Sequence, residues 1–411
     1  MNSSNTTPGM LSGYRVLDLS DHRGFACAKF LASMGAEVIK IDSPKIKDAP
    51  DETKTEKTKN QLWRLRNLGK KSITLDLDSD TGIELFKDLV AKSDFIIETF
   101  QPGTLADKNI GYEQLKAINE KIILVSITPF GQTGPYKDYK GGELISSAMG
   151  GTLDTCGYPD DTPVLEALDA CSFHAAAAAG FGAMLAHRER GISGLGQHVD
   201  CSIQEVAASR NTNNLIAYQF DKRKLDRSGN KVRFGLANVR VVWELADGYC
   251  FHSIMTGKFG APANSALSKW MSDEGFENPM ANVDWEKYDR SALDADTRLS
   301  WEAAIHKFFI SKTKQDIANE GKERGIRATI ANAPNDVIND QHLVSRGFFQ
   351  DLDLTENKTL QYPDYFLRFS EGQYRIPKLL PLPGKDNQNV FEDILKLDEK
   401  HINTHAKKGV F

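Results

Sequence analysis

Long apolar runs are missing from this 411-residue chain. No stretch reaches the roughly 18 uninterrupted apolar residues that a membrane helix needs, so a membrane is not an expected partner. The run Ala175 to Ala186 is apolar but short and interrupted by Gly180 and Gly182, and it reads as a buried helix. Cysteine is scarce as well. Cys27, Cys156, Cys171, Cys201 and Cys250 are odd in number, scattered and without a CxxC pair. That excludes a disulfide framework and a tetrahedral zinc site, and no metal is expected. There is no excess of positive charge either. The 51 basic and 56 acidic residues give a net charge of -5 and are spread along the chain, which argues against nucleic acid as a partner. An anionic ligand must then be met by a local group of residues. Met1 to Met10 has neither a basic start nor an apolar core, so it is read as a flexible tail and not as a signal or transit peptide. A soluble, cytoplasmic protein is expected. Internal repeats, heptads and low-complexity tracts are also absent.

What remains is an alternation of strands and helices in a chain long enough for two domains. Tyr14 to Leu19 is an apolar run followed by a helical pattern through Phe25, Phe30, Leu31 and Met34, a stop at Gly35, and a second strand from Glu37 to Ile41. This is a β-α-β unit, and the class predicted is α/β with a parallel, doubly wound sheet. Further strands are expected at 72–77, 95–98 and 122–127, with helices at 80–92, opened by Asp80, and 112–119. Lys45 to Lys59 reads as a charged surface loop, and Leu168 to His187 as a close-packing helix. Gln197 to Ser202 reads as a strand or a helix start, and Lys222 to Arg233 as a linker. Residues 239–244 and 249–253 form an expected hairpin around Asp247-Gly248. The charged helical stretch 270–325 closes a smaller domain, placed at 221–325 between the two parts of a larger one, 11–220 and 326–411.

The first strand-to-helix turn, Ser20-Asp21-His22-Arg23-Gly24, lacks the GxGxxG fingerprint, which disfavours a dinucleotide enzyme. Its backbone N–H groups and Arg23 suit a phosphate or carboxylate, although Arg23 is equally readable as a salt-bridge partner. Lys70-Lys71 stands beside Gly69 ahead of a strand and reads either as a polyanion contact or as a solvated edge. Phe100, before Pro102-Gly103, is either a face for stacking an adenine or a core aromatic. The Gly- and Pro-rich loop from Thr128 to Tyr136 precedes Lys140 and Glu143, so four loops at strand ends are expected to converge.

The blocks GYRVLDLS, MGAEVIKID, NLGKKSITLDL, IIETFQPGTL, ITPFGQTGPY, HRERGISGLGQHVD and NDVINDQHLVSRGFF occur in this order between about Leu11 and Phe349. In order and spacing they resemble family III CoA-transferases, the group that includes formyl-CoA and carnitine CoA-transferases. The resemblance implies a Rossmann-like large domain, a smaller α+β domain and an interlocked-ring dimer. It also implies an aspartate that attacks an acyl-CoA thioester, passing through a mixed anhydride and an aspartyl-CoA thioester. Coenzyme A and acyl-CoA would be substrates, with no permanently bound cofactor and a carboxylic acid as the other substrate. Carried over by position, Asp169 would be the nucleophile and Glu143 would support it; Asp169 also reads as a plain helix N-cap. His22, Arg23, Lys70, Lys71, Phe100 and Lys140 would bind CoA. Thr99, Asp107 and Ser43 depart from residues common in the family, and Phe173 stands where a glycine is usual. No histidine accompanies Glu143 after the GPY loop, which separates this chain from the racemase branch. The turn around His22 looks like that of two-component members such as benzylsuccinate CoA-transferase, so either a homodimer or a heteromer with a related subunit is implied.

Overall fold

Alternate apolar residues along short β-branched runs place one set of side chains on each face of a strand, and six such strands form the frame. The computed structural model describes residues 9–45, 57–234, 237–289, 292–355, 358–364, 366–372, 377–378 and 381–411. The expected tail before residue 9 and most of the expected charged loop, 46–56, lie outside the described residues.

In chain order the frame runs β1 (Arg15–Leu19), α1 (Phe25–Ser33), β2 (Glu37–Asp42), α2 (Lys57–Arg66), β3 (Lys71–Thr74), α3 (Asp80–Val90), β4 (Phe95–Glu98), α4 (Thr104–Asp107), α5 (Tyr112–Ile118) and β5 (Ile123–Thr128). It continues with α6 (Glu143–Met149), α7 (Thr152–Thr155), α8 (Ala170–Ser193), β6 (His198–Ser202), α9 (Ile203–Arg210) and α10 (Thr212–Asp221). The strands pair in parallel in the order β3-β2-β1-β4-β5-β6. The order reverses between β1 and β4, and in open α/β sheets ligands bind outside the carboxyl ends of the strands at that point. Val16, Val38, Phe95 and Val125 face α1 and α8 on one side. Leu17, Ile39, Ile73, Ile96 and Leu124 face α3 and α5 on the other. Ala175, Ala176, Ala179, Ala183 and Ala186 are buried along α8, and their small side chains let the helix lie close to the sheet.

Local differences from the expected elements have local causes. Ser79, not Asp80, caps α3, its hydroxyl accepting the Gly82 N–H at 3.1 Å. α8 continues through the HRERGIS block to Ser193 and stops where Gly194 takes φ 79°. The end of the expected loop at 57–59 is the first turn of α2.

The chain divides into a larger unit of Met1–Leu153, Leu165–Lys224 and Phe348–Phe411, and a smaller one of Asp154–Val164 and Leu225–Gly347. The smaller unit holds β7 (Lys231–Phe234) paired with β8 (Ala237–Arg240), then β9 (Val242–Leu245), β10 (Gly248–His252), α11 (Gly257–Asp273), α12 (Ala295–Phe309), α13 (Lys314–Arg324), β11 (Ala328–Ala331), α14 (Pro334–Ile338) and α15 (Gln341–Ser345). Its three-stranded antiparallel sheet, β11-β10-β9, covers a core of Trp243, Trp270, Trp301, Phe308 and Phe309. The boundary expected at 325 falls after residue 347 instead, because β11 pairs with β10 through Cys250 and Ile330. Residues 154–164 join this unit because the Arg227 guanidinium donates to the carbonyls of Asp154, Tyr158 and Asp161. The segment read as a linker ends in β7, and the hairpin forms between β9 and β10, with 239–240 belonging to β8.

The larger unit closes with a hairpin of β12 (Phe349–Thr355) and β13 (Lys358–Pro363), followed by α16 (Asn387–Leu395) and α17 (Glu399–Lys407). Asp386 and Asn387 accept the backbone N–H groups of Ser72 and Thr74 at 2.8 and 2.9 Å, which satisfies the open edge of β3. Among the described residues no helix is long and apolar enough to cross a membrane.

Candidate active site

At the switch point the loops after β1 and β4 are bound to each other. The Asp21 N–H donates to Thr99 Oγ1 at 2.9 Å, and Arg23 Nη2 donates to the Thr99 carbonyl at 2.6 Å. The Arg23 guanidinium also grips the Asp21 carboxylate, with bonds of 2.8 to 3.0 Å. Burial alone would raise the Asp21 carboxyl, but Arg23 outweighs it and holds it below the usual carboxylate range. A Cβ on Gly24 would stand 2.6 Å from Ser20 Cβ, so only glycine allows this approach. Arg23 is therefore engaged as a clamp between loops, whereas the His22 side chain is half exposed, with Nδ1 3.9 Å from Asp21 Oδ1.

The two adjacent lysines are not brought to this edge. Lys70 is fully buried, and its ammonium satisfies all three donors on Asp18 Oδ2 at 2.7 Å, Asn67 Oδ1 at 2.9 Å and the Phe25 carbonyl at 3.1 Å. Burial would raise the Asp18 carboxyl, yet Lys70 and Lys40 hold it below its ordinary range, so this is an internal ion pair. Lys71 turns the other way, to Glu37 Oε1 at 2.6 Å, and Glu37 also binds Arg15. These three residues begin β3, β2 and β1, at the amino edge of the sheet and opposite the crevice. Successive side chains on a strand point to opposite faces, so one lysine goes inward and the other to the far edge. Phe100 is half-buried against the second core face, with its N–H donated to Glu98 Oε2 at 2.6 Å. Glu98 itself is buried, which pushes its carboxyl up to about 7.

The fourth loop is presented outward. Phe130, Tyr136 and Tyr139 form an aromatic trio with ring centroids 5.1 to 6.4 Å apart, and Tyr136 and Tyr139 are exposed. Lys140 follows, exposed and without an ion-pair partner among the described residues. A Cβ on Gly141 would lie 2.7 Å from Pro129 Cβ, so the glycine lets this loop close on its own start and seat α6.

α6 begins with Glu143, and its carboxylate does the helix capping that was the second reading of Asp169. Glu143 Oε1 accepts the Cys171 N–H at 2.6 Å, and Oε2 accepts the Ser172 N–H at 3.0 Å and the Ser172 hydroxyl at 2.7 Å. The free N–H groups and positive end of α8 are thus met by a carboxylate from another helix. Asp169, at the N-cap position, makes no side-chain cap bond. Its backbone is left-handed at φ 51°, as is that of Leu168 at φ 67°, a conformation that costs an L-residue about 1–2 kcal/mol. Strain of this kind gathers at functional sites. The Asp169 carboxylate is turned outward to Arg66, whose Nη2 lies 2.9 Å from Oδ2. Phe173, four residues on, meets Phe30 edge-on at 6.1 Å. The site thus brings Glu143 and Asp169 together at one helix end and adds Arg66 and Ser172. Tyr139 was not singled out in the sequence either, although it stands beside Lys140. No sequence signal links Arg66 to a residue 103 positions away. Among the described residues no group of three or more His, Cys, Asp or Glu is placed to hold a metal ion.

Comparison with known proteins gives the family and the fold. The sequence model described as CoA-transferase family III matches residues 11–387. The succinyl-CoA–D-citramalate CoA-transferase of Chloroflexus aurantiacus is 30% identical over 97% of this chain and 98% of its own length. Subunit BbsE of the succinyl-CoA:(R)-benzylsuccinate CoA-transferase of Thauera aromatica is 27% identical over 92% of this chain and 93% of its own. Among solved structures, a CAIB/BAIF family protein from Brucella suis superposes with a TM-score of 0.79 at 24% identity, covering 94% of this chain and 100% of its own, which supports the fold.

Proposed function

This chain belongs to CoA-transferase family III, and on that footing we propose that Asp169 moves coenzyme A from an acyl-CoA to a second carboxylic acid. The Asp169 carboxylate attacks the thioester carbonyl, the C–S bond breaks, and a mixed anhydride and the CoA thiolate result. The thiolate attacks the aspartyl carbonyl and expels the donor acid as its carboxylate, leaving an aspartyl-CoA thioester. The second acid's carboxylate then displaces the thiolate to form a new anhydride. Attack of the thiolate on its other carbonyl releases the new acyl-CoA and restores Asp169. A carboxylate suits this work because covalent catalysis divides one difficult exchange into easier ones.

One observation carries the assignment: Glu143 caps α8, so the carboxylate at the helix start has no structural task there and faces outward. His22 and Lys140 are the CoA contacts with the most available side chains, and the exposed Tyr139 precedes Lys140 in the chain. Arg23 and Lys70 serve the site by fixing its loops, Phe100 is the weaker CoA contact, and Lys71, paired with Glu37 at the amino edge of the sheet, is not one. Succinyl-CoA is the proposed donor, since several similar proteins are named for it. The protein is proposed to be cytoplasmic, to hold no permanent cofactor, and to assemble as an interlocked dimer. Exposed Leu144, Met149, Phe181, Leu185, Leu215 and Phe220 in the larger unit support the last point.

A second reading, a non-catalytic partner of a related subunit, is favoured by the relatives that are themselves subunits. The purified chain, given succinyl-CoA and a panel of acids, separates the two. Transfer by the chain alone, falling about a thousandfold or more in Asp169→Asn, supports the nucleophile. Transfer that appears only with a second subunit and survives Asp169→Asn supports the partner role.

A further inference from the structure

Arg66 is the last residue of α2, and its guanidinium has a defined seat. Its Cζ stands 5.3 Å over the Phe25 ring. The carbonyl of the preceding Leu65 accepts from Tyr362 Oη at 3.1 Å and from Lys29 Nζ at 3.4 Å, so β13 and α1 together fix the end of the helix. Among the described residues, Asp169 is the one carboxylate paired with Arg66, at 2.9 Å, and the two side chains are 38% and 28% exposed. This is a partly dry ion pair that a small solute can still reach.

Resting on the role of Asp169 above, we propose that Arg66 is an anion site used in turn by Asp169 and by the reacting carboxylate of the exchanging acid. The reason is charge. When Asp169 becomes an anhydride and then a thioester it carries no charge, and a partly desolvated guanidinium is left without its counter-ion. As the thioester forms, a carboxylate is expelled from the aspartyl carbon, one bond from the oxygen that Arg66 was holding. In the second half another carboxylate must come within about 3–3.5 Å of that carbon before it can attack. Arg66 has a planar fork of donors already in place, suited to two carboxylate oxygens. Handing the guanidinium from Asp169 to the acid gives Arg66 a carboxylate partner both in the resting enzyme and at the aspartyl-CoA stage, and sets the acid in line for attack. Arg66 would thus select free carboxylates as a class, whatever the rest of the acid.

Asp169→Asn imitates the uncharged, acylated state and frees Arg66, which gives a binding test that does not depend on turnover. Succinate binding is measured by calorimetry on the purified full-length protein. Asp169→Asn should bind succinate about tenfold more tightly than the unaltered protein, the worth of one charge-assisted contact. Adding Arg66→Ala should abolish the gain, guanidinium ion should restore part of it, and Arg66→Lys should fall between. Should the double variant with Ala fail to fold, the Lys variant carries the comparison alone. Equal succinate affinity with and without Arg66 in the Asp169→Asn background overturns the proposal. The reading of Asp169 fails separately, if acyl-CoA leaves no adduct on that residue in the unaltered protein.

Discussion

Asp169 and Glu143 show how two carboxylates at one helix end divide their work. Glu143 takes the N–H groups that an N-cap aspartate would ordinarily take, and Asp169 is left facing Arg66 in a left-handed backbone. Deeper in the sheet, Glu98 is a residue whose environment makes a different prediction. Burial raises its carboxyl from the ordinary value of 4.5 to about 7, so between those pH values the folded chain binds the proton and the unfolded chain does not. Stability from this group is complete below the lower value and is lost as pH rises through the upper one, by up to about 3 kcal/mol. Glu98→Gln keeps an acceptor for the Phe100 N–H and cannot ionise. Urea unfolding at pH 5 and pH 8 should show the variant gaining on the unaltered protein at the higher pH. An equal difference at both would contradict the assignment.

Among the elements, β3 separates what was legible in the sequence from what was not. The strand itself was readable, because Ser72 to Leu77 alternates, and β1, β2, β4 and β5 were readable as short apolar runs between helical patterns. The destinations of Lys70 and Lys71 were not readable, because they depend on which neighbour each side chain meets across the sheet: Asp18 for one, Glu37 for the other. Lys70→Met tests this. Leaving Asp18 charged, buried and unpaired should cost about 3–5 kcal/mol in unfolding free energy. Its apparent KM for acyl-CoA, measured on the folded fraction, should stay within about twofold, since no direct CoA contact is lost. A large KM rise with stability unchanged would return Lys70 to the binding site. The late return to the larger unit has a similar origin. Nothing in the residues of β11 says that it pairs with β10 in the smaller unit. The helical cap shared between α6 and α8 is likewise a contact between segments that the sequence keeps apart.

For the molecule as a whole, the family and the α/β class were legible because seven blocks keep their order along the chain, and one parallel sheet with helices on both faces follows from them. Exposed apolar side chains on α6, α8 and α10 are the kind that contact with a second subunit would cover. Light scattering on the purified chain should give at least twice the chain mass over a range of concentrations. A stable monomer that transfers CoA by itself would contradict the proposed assembly.

The central claim is that Asp169 becomes covalently acylated, and mass spectrometry of the protein after brief incubation with succinyl-CoA tests it most directly. An added mass of CoA is expected on the one peptide that contains Asp169, removed by hydroxylamine and absent in Asp169→Asn. Active protein with no adduct on that peptide, or an adduct on a different carboxylate, would contradict it.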